Sequence, residues 1–224
     1  MTTADIIREK EAFIYDSMVN RTGLYDFLFA SLLYKINDIC WARYFMEHFS
    51  FMKNNTTVLT NYKESYYCEG KMYVNHTEAS IGISIIVHEY GHYVFDKMLD
   101  KKEKEEEIIL NLFKKEAEHL IEDRRFLVKL YEKYCSHLNW IRVCEDREFC
   151  PLMLTDGITI LSKKSYTGLH HNSNYPIEYL ASELFAECLE AEVLGYKYPF
   201  AIYKGECPQT YSYIRKKIYE VLKP

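Results

Sequence analysis

Five consecutive residues in this chain have the types and order needed to activate water on a metal ion: His88-Glu89-Tyr90-Gly91-His92. Residues four apart on a helix lie one turn above each other on the same face, so both imidazoles can reach a single ion. Zinc is the cation such a pair expects. Glu89 follows the first ligand and projects beside the ion, where its carboxylate takes a proton from water instead of binding metal. The bland alternative is a hydrogen-bonded histidine pair in a core, since HExxH also arises by chance. Gly91 weighs against it: glycine inside a helix is unfavourable by about 1 kcal/mol, so its presence points to close approach by another segment.

A catalytic zinc centre has three protein ligands and one open position, so a third ligand must lie downstream. A third histidine at the metzincin spacing is missing, because that position is Met98. Glu178, Glu183 and Glu187 fall on one later helical segment, and the last two share a face by their spacing of four. That pair can act as ligand and supporting partner. A ligating histidine donates its other ring proton to a carboxylate or carbonyl, for which Glu187 and Asp96 are candidates. Glutamate on a helix is ordinarily a solvated surface group, and each of these is weighed against that fate.

The elements that must carry these residues follow from periodicity. Apolar spacing predicts a buried helix from about Ala79 to Leu99, capped by Thr77 or Ser80, and another from Ile177 to Leu194, ending at Gly195. A third runs from Gln209 to Leu222. Two helices precede them between Thr3 and Ser50, separated near Arg21-Thr22-Gly23. Thr57-Val58-Leu59, Tyr66-Tyr67-Cys68 and Met72-Tyr73-Val74 read as a small antiparallel sheet, with Glu69-Gly70-Lys71 as a turn. Lys101 to Glu107 is a charge run opening a helix through about Tyr134, expected as a solvated face. Loops and a short strand at Ile158 to Leu161 are expected between Asn139 and Asn174.

The 224 residues suit one domain, with 48% hydrophobic and 27% charged residues, which excludes a disordered or fibrous chain. Only 8 glycines and 5 prolines leave too few turn residues for a β-sandwich or barrel. A net charge of −5 offers no global positive field for nucleic acid. The 7 cysteines never form CxxC, so reduced thiols are the simpler reading. Met1 to Lys10 lacks the apolar core of a secretory signal, and Phe27 to Tyr34 is too short an apolar run to span a bilayer. A cytoplasmic protein is expected.

The His88–His92 motif followed by Ser182-Glu183-Leu184-Phe185-Ala186-Glu187 resembles the catalytic domain of the anthrax lethal factor family and the related Pro-Pro endopeptidases. It is similar also to lethal-factor-like peptidase domains of phage minor head proteins, through Asp156-Gly157-Ile158 and the stretch from Gly168 to Tyr175. Pro208 to Ile214 is similar to the family's closing helix, which packs beneath the site. The resemblance runs from about Met72 to the C-terminus. It implies Glu183 as third ligand and Glu187 as its supporting partner. The family's oxyanion-stabilising tyrosine stands seven residues before the ligand glutamate. That position is Pro176 here, so the role goes to the adjacent Tyr175, with Tyr179 as second choice.

The expected fold is therefore α+β, mostly α: a gluzincin-like metallopeptidase with a small antiparallel sheet beside the HExxH helix and a second ligand-bearing helix. Residues 1–224 are read as one domain, with N-terminal helices over 1–55, a zinc-peptidase core over 56–224, and a helical insertion at about 101–150. The expected activity is zinc-dependent endopeptidase, with one Zn2+ per chain held by His88, His92 and Glu183 and with Glu89 as general base. A peptide or protein substrate would add a strand to the sheet edge near Tyr73. No nucleic-acid or membrane partner is expected. The rival readings are a repressor-cleaving immunity-type metallopeptidase, or a structural or regulatory protein of a virion or larger assembly that keeps the lethal-factor-like fold. Intact Glu89 argues against a relic without turnover, because zinc alone does not require it.

Overall fold

A computed structural model describes residues 2–21, 23–60, 64–77, 83–122, 179–195 and 201–224. These are mostly helical, with one small sheet. Thr2 starts helix α1 (Thr3–Val19): its hydroxyl accepts from the Asp5 amide at 3.2 Å, and Asp5 Oδ2 accepts from the Thr2 amide at 2.8 Å. This reciprocal box satisfies donors that a bare helix end would leave unpaired. Two helices, α2 (Leu24–Lys35) and α3 (Ile39–Asn54), stand where one was expected. Asp38 causes the break, because its Oδ1 accepts from the Cys40 and Trp41 amides at 2.8 and 3.1 Å and so nucleates a new helix. Phe13, Phe29 and Phe49 knit α1, α2 and α3 together, with ring centroids 4.8–5.8 Å apart.

The sheet has the order β1-β3-β2, from β1 (Thr56–Leu59), β2 (Tyr66–Cys68) and β3 (Lys71–Asn75). It is mixed, not antiparallel: β1 pairs parallel with β3 and β2 pairs antiparallel with it. The reason lies in burial. Met72 and Val74 on β3 are fully buried whereas β1 and β2 are half exposed, so β3 takes the centre, and the hairpin sets it parallel to β1. Glu69 and Gly70, with φ of 50° and 82°, make the left-handed two-residue turn that tight hairpins favour. Tyr73 consequently lies on the central strand, so among the described residues the outer strands are β1 and β2 and not the strand expected to meet substrate.

Helix α4 (Ile85–Lys97) carries the HExxH sequence and packs on β2 and β3. Ser84 occupies its cap position, and the helix begins six residues later than the start expected at Ala79; position 80 lies outside the described residues. Lys101, with φ of 56°, turns the chain into α5 (Lys102–Glu122). Its charged first turns are not wholly solvated. Glu105 is buried, accepting from Tyr213 Oη at 2.6 Å and pairing with Lys217 Nζ at 3.1 Å. The expected remainder of the insertion to residue 150, the strand at 158–161 and the loop stretch to 174 lie outside the described residues.

Helix α6 (Leu180–Leu194) ends at Gly195 as expected, with φ of 82°. A short α7 (Ala201–Glu206) precedes α8 (Pro208–Leu222), whose first residue is the proline that a helix start tolerates. Glu116 on α5 accepts from the Gln209 and Thr210 amides at 2.9 and 2.8 Å, closing the start of α8. The buried residues of α2 and α3 join those of β3, α4, α6 and α8 in one continuous core. Among the described residues, no helix is long and apolar enough to cross a membrane.

Candidate metal centre

Helices α4 and α6 cross where Gly91 meets Ala186. A Cβ built on Gly91 would stand 2.5 Å from Ala186 Cα and 2.9 Å from its Cβ, so only glycine allows this approach. The crossing brings Glu183 on α6 against His88 and His92 on α4. Tyr90, between the histidines, faces the other way and shares a buried hydrogen bond of 2.7 Å with Tyr44 Oη on α3. Helix α3 thus backs the helix that carries the two histidines.

Three lone-pair atoms converge at the crossing. His88 Nε2 and His92 Nε2 are 3.1 Å apart, and Glu183 Oε2 lies 3.3 and 3.5 Å from them. Four-coordinate sites with bonds of about 2.0–2.1 Å have ligand–ligand edges of about 3.3 Å, so this triangle has the size of one face of a tetrahedron. Among the described residues, this is the group of His, Cys, Asp and Glu side chains that could hold an ion. Glu183 Oε2 is buried and has no hydrogen bond of good geometry. An anionic oxygen in that state needs a cation, and the donor set fits one.

The electrostatics point the same way. Burial acts to lower the His88 pKa, yet the Glu183 and Glu190 carboxylates, with the charge of Glu89, hold it well above the ordinary histidine value. Burial would raise the Glu183 pKa, but the two imidazoles hold it well below the usual carboxylate range. Glu89, Glu183, Glu187 and Glu190 are all buried, and a concentration of acid this deep is unusual without compensating positive charge.

The structure brings His88, His92 and Glu183 together and sets Glu89 in the buried wall beside them. Glu187 accepts a hydrogen bond from the buried Tyr203 Oη on α7. Asp96, expected behind a histidine, has other partners: it accepts from Tyr67 Oη at 2.7 Å and Lys102 Nζ at 2.6 Å, tying α4 to β2. Tyr67 in turn stacks over His92 at 6.4 Å between centroids. Tyr175 and Glu178 lie outside the described residues, as does Pro176, while Tyr179 is exposed at the start of α6.

Three residues close to the site were not singled out from the sequence. Ser182 Oγ is 2.7 Å from His92 Nδ1, and Glu190 Oε2 is 3.6 Å from His88 Nδ1. Glu190 follows Glu183 by seven residues, two helical turns on the same face, so the spacing that links Glu183 to Glu187 extends to it. Tyr203 had no such signal, because α7 is too short to show a period. Comparison with family models, curated proteins and solved structures returned no match.

Proposed function

We propose that this chain is a zinc-dependent endopeptidase of the gluzincin type, related in its site to the lethal factor family and working in the cytoplasm. The observation that carries the reading is the triangle of His88 Nε2, His92 Nε2 and Glu183 Oε2, with edges of 3.1–3.5 Å, built around a helix that also bears Glu89. His88, His92 and Glu183 would hold the ion, which would supply Lewis-acid polarisation of the scissile carbonyl and of the attacking water. The Glu89 carboxylate accepts the proton of the attacking water and passes it to the departing amide nitrogen as the C–N bond breaks. Glu89 is buried, so its carboxylate stands out of bulk solvent. Tyr175 is assigned the hydrogen bond to the developing oxyanion, a role taken from the family resemblance.

Metal analysis of the purified full chain tests this, joined to cleavage of a random peptide pool by parent and Glu89→Gln. About one zinc per chain is expected in both proteins, with cleavage by the parent alone. Protein that takes up no added zinc overturns the reading, and so does a Glu89→Gln variant that still cleaves.

A further inference from the structure

The two ligand histidines are gripped from behind by groups of different chemistry. An imidazole has two distinct nitrogens, and the hydrogen bond made by one decides whether the other offers a lone pair. His92 Nδ1 is 2.7 Å from Ser182 Oγ, one residue before the glutamate whose oxygen faces His92 Nε2 at 3.5 Å. His88 Nδ1 faces Glu190 Oε2 at 3.6 Å, longer than a hydrogen bond but within the range of an ion contact, and Glu190 is buried. A carboxylate only accepts, so its charge draws the proton to Nδ1.

We propose that Ser182 and Glu190 are the positioning residues of this centre: they keep the proton of each histidine on Nδ1, so that both Nε2 lone pairs point at the Glu183 oxygen and at a cation between them. The inference rests on the metal-centre reading above. The alternative arrangement is a proton on one Nε2 donated to the other across 3.1 Å, which leaves a pair with no room for an ion. All of the contacts come from α6, where Ser182, Glu183 and Glu190 lie along one side. One helix therefore supplies a ligand and both orienting groups, and its Ala186 contact with Gly91 fixes their distance from α4. Glu187, the partner implied by the family resemblance, accepts from Tyr203 on α7.

The test is zinc affinity of the full chain, measured by competition with a chromophoric chelator, in the parent and in Ser182→Ala, Ser182→Thr, Glu190→Leu and Glu190→Gln. Ser182→Ala and Glu190→Leu should each lose about 10- to 100-fold, the usual effect of removing a group behind a metal ligand. Ser182→Thr and Glu190→Gln keep an accepting oxygen and should stay within about 10-fold of the parent. The visible spectrum of the Co2+-substituted protein should change with the same ranking. Folded Ser182→Ala and Glu190→Leu with parental affinity and spectrum overturn the inference. A parent that binds neither Zn2+ nor Co2+ overturns the metal-centre reading itself. Should the two disruptive variants fail to fold, a long-range 1H–15N spectrum of the metal-free parent decides: a proton on Nδ1 of both rings supports the inference, and a bare His92 Nδ1 overturns it.

Discussion

Gly91 on α4 lies so close to Ala186 on α6 that a single added methyl would overlap the Ala186 backbone, at 2.5 Å from its Cα. This contact sets the separation between the two histidines and Glu183. Gly91→Ala would gain about 1 kcal/mol of helix propensity. Forcing the helices apart costs about 1–3 kcal/mol, and the clash with backbone puts it at or above the upper end. The variant should therefore unfold at lower urea concentration and bind zinc more weakly. Adding Ala186→Gly removes the Cβ but not the Cα, so it should restore only part of the loss. A Gly91→Ala protein as stable as the parent, with unchanged zinc affinity, would show that the crossing does not control the site.

Glu183 and Glu187 sit one turn apart on α6 and are both buried, yet they have different partners. Glu183 faces the imidazoles at 3.3 and 3.5 Å, whereas Glu187 receives the Tyr203 hydroxyl. Glu183→Ala should weaken zinc binding by more than the about 10- to 100-fold expected for Glu187→Ala. Glu187→Ala should also lower stability in the metal-free state by about 0.5–1.5 kcal/mol, because it removes the buried hydrogen bond donated by Tyr203. Chelator competition and urea unfolding of both variants read the two effects apart. The reverse order of zinc affinities would move the ligand by one helical turn.

Much of this site is legible in the sequence because helical spacing is local information. His88 and His92 share a face by arithmetic, Gly91 announces a close crossing, and Glu183 with Glu187 repeats the same interval. Glu190 carried the same signal at seven residues. The parts that could not be read were tertiary. Nothing local tells that Asp96 would turn toward Tyr67 and Lys102 instead of a histidine, or that β3 would enter the sheet between β1 and β2. The break at Asp38 was readable as an N-cap, but the apolar run across it masked the signal. In α5 the charge run concealed Glu105, whose burial depends on Tyr213 and Lys217 more than a hundred residues away.

Tyr44 and Tyr90 form a buried hydroxyl pair that joins α3 to the metal-motif helix. Tyr44→Phe should destabilise the fold by about 1–3 kcal/mol, since the Tyr90 hydroxyl is left without its partner in the core. Replacing both by Phe should cost less than the sum of the single changes, because two apolar rings leave nothing unsatisfied. Urea unfolding of the three variants checks this. Additive losses would mean that the hydroxyls act independently.

Asp96 gives the fold an acid-sensitive tie between α4 and β2. Burial would raise its pKa, but hydrogen bonds from Lys102, Tyr67 and Lys97 and the charge of Lys102 hold it far below the ordinary carboxylate value. In the unfolded chain the group titrates near its usual pKa of about 4. Below that pH the unfolded state binds a proton that the folded state still refuses, so stability falls as pH drops and is fully present above it. The side chain is about a quarter exposed, so solvent screening reduces the contribution below what the pKa displacement alone implies. Asp96→Asn should therefore lower stability at pH 7 and flatten the loss between about pH 5 and 2, where the parent gives up this interaction. Tyr67→Phe should remove part of the same pH dependence, because one of the hydrogen bonds that favour the charged form is gone. Urea midpoints measured across that range for the three proteins test the assignment. If Asp96→Asn keeps the full slope of the parent, the acid sensitivity belongs to other carboxylates, and Asp96 does not fasten β2 to the helix that bears the histidines.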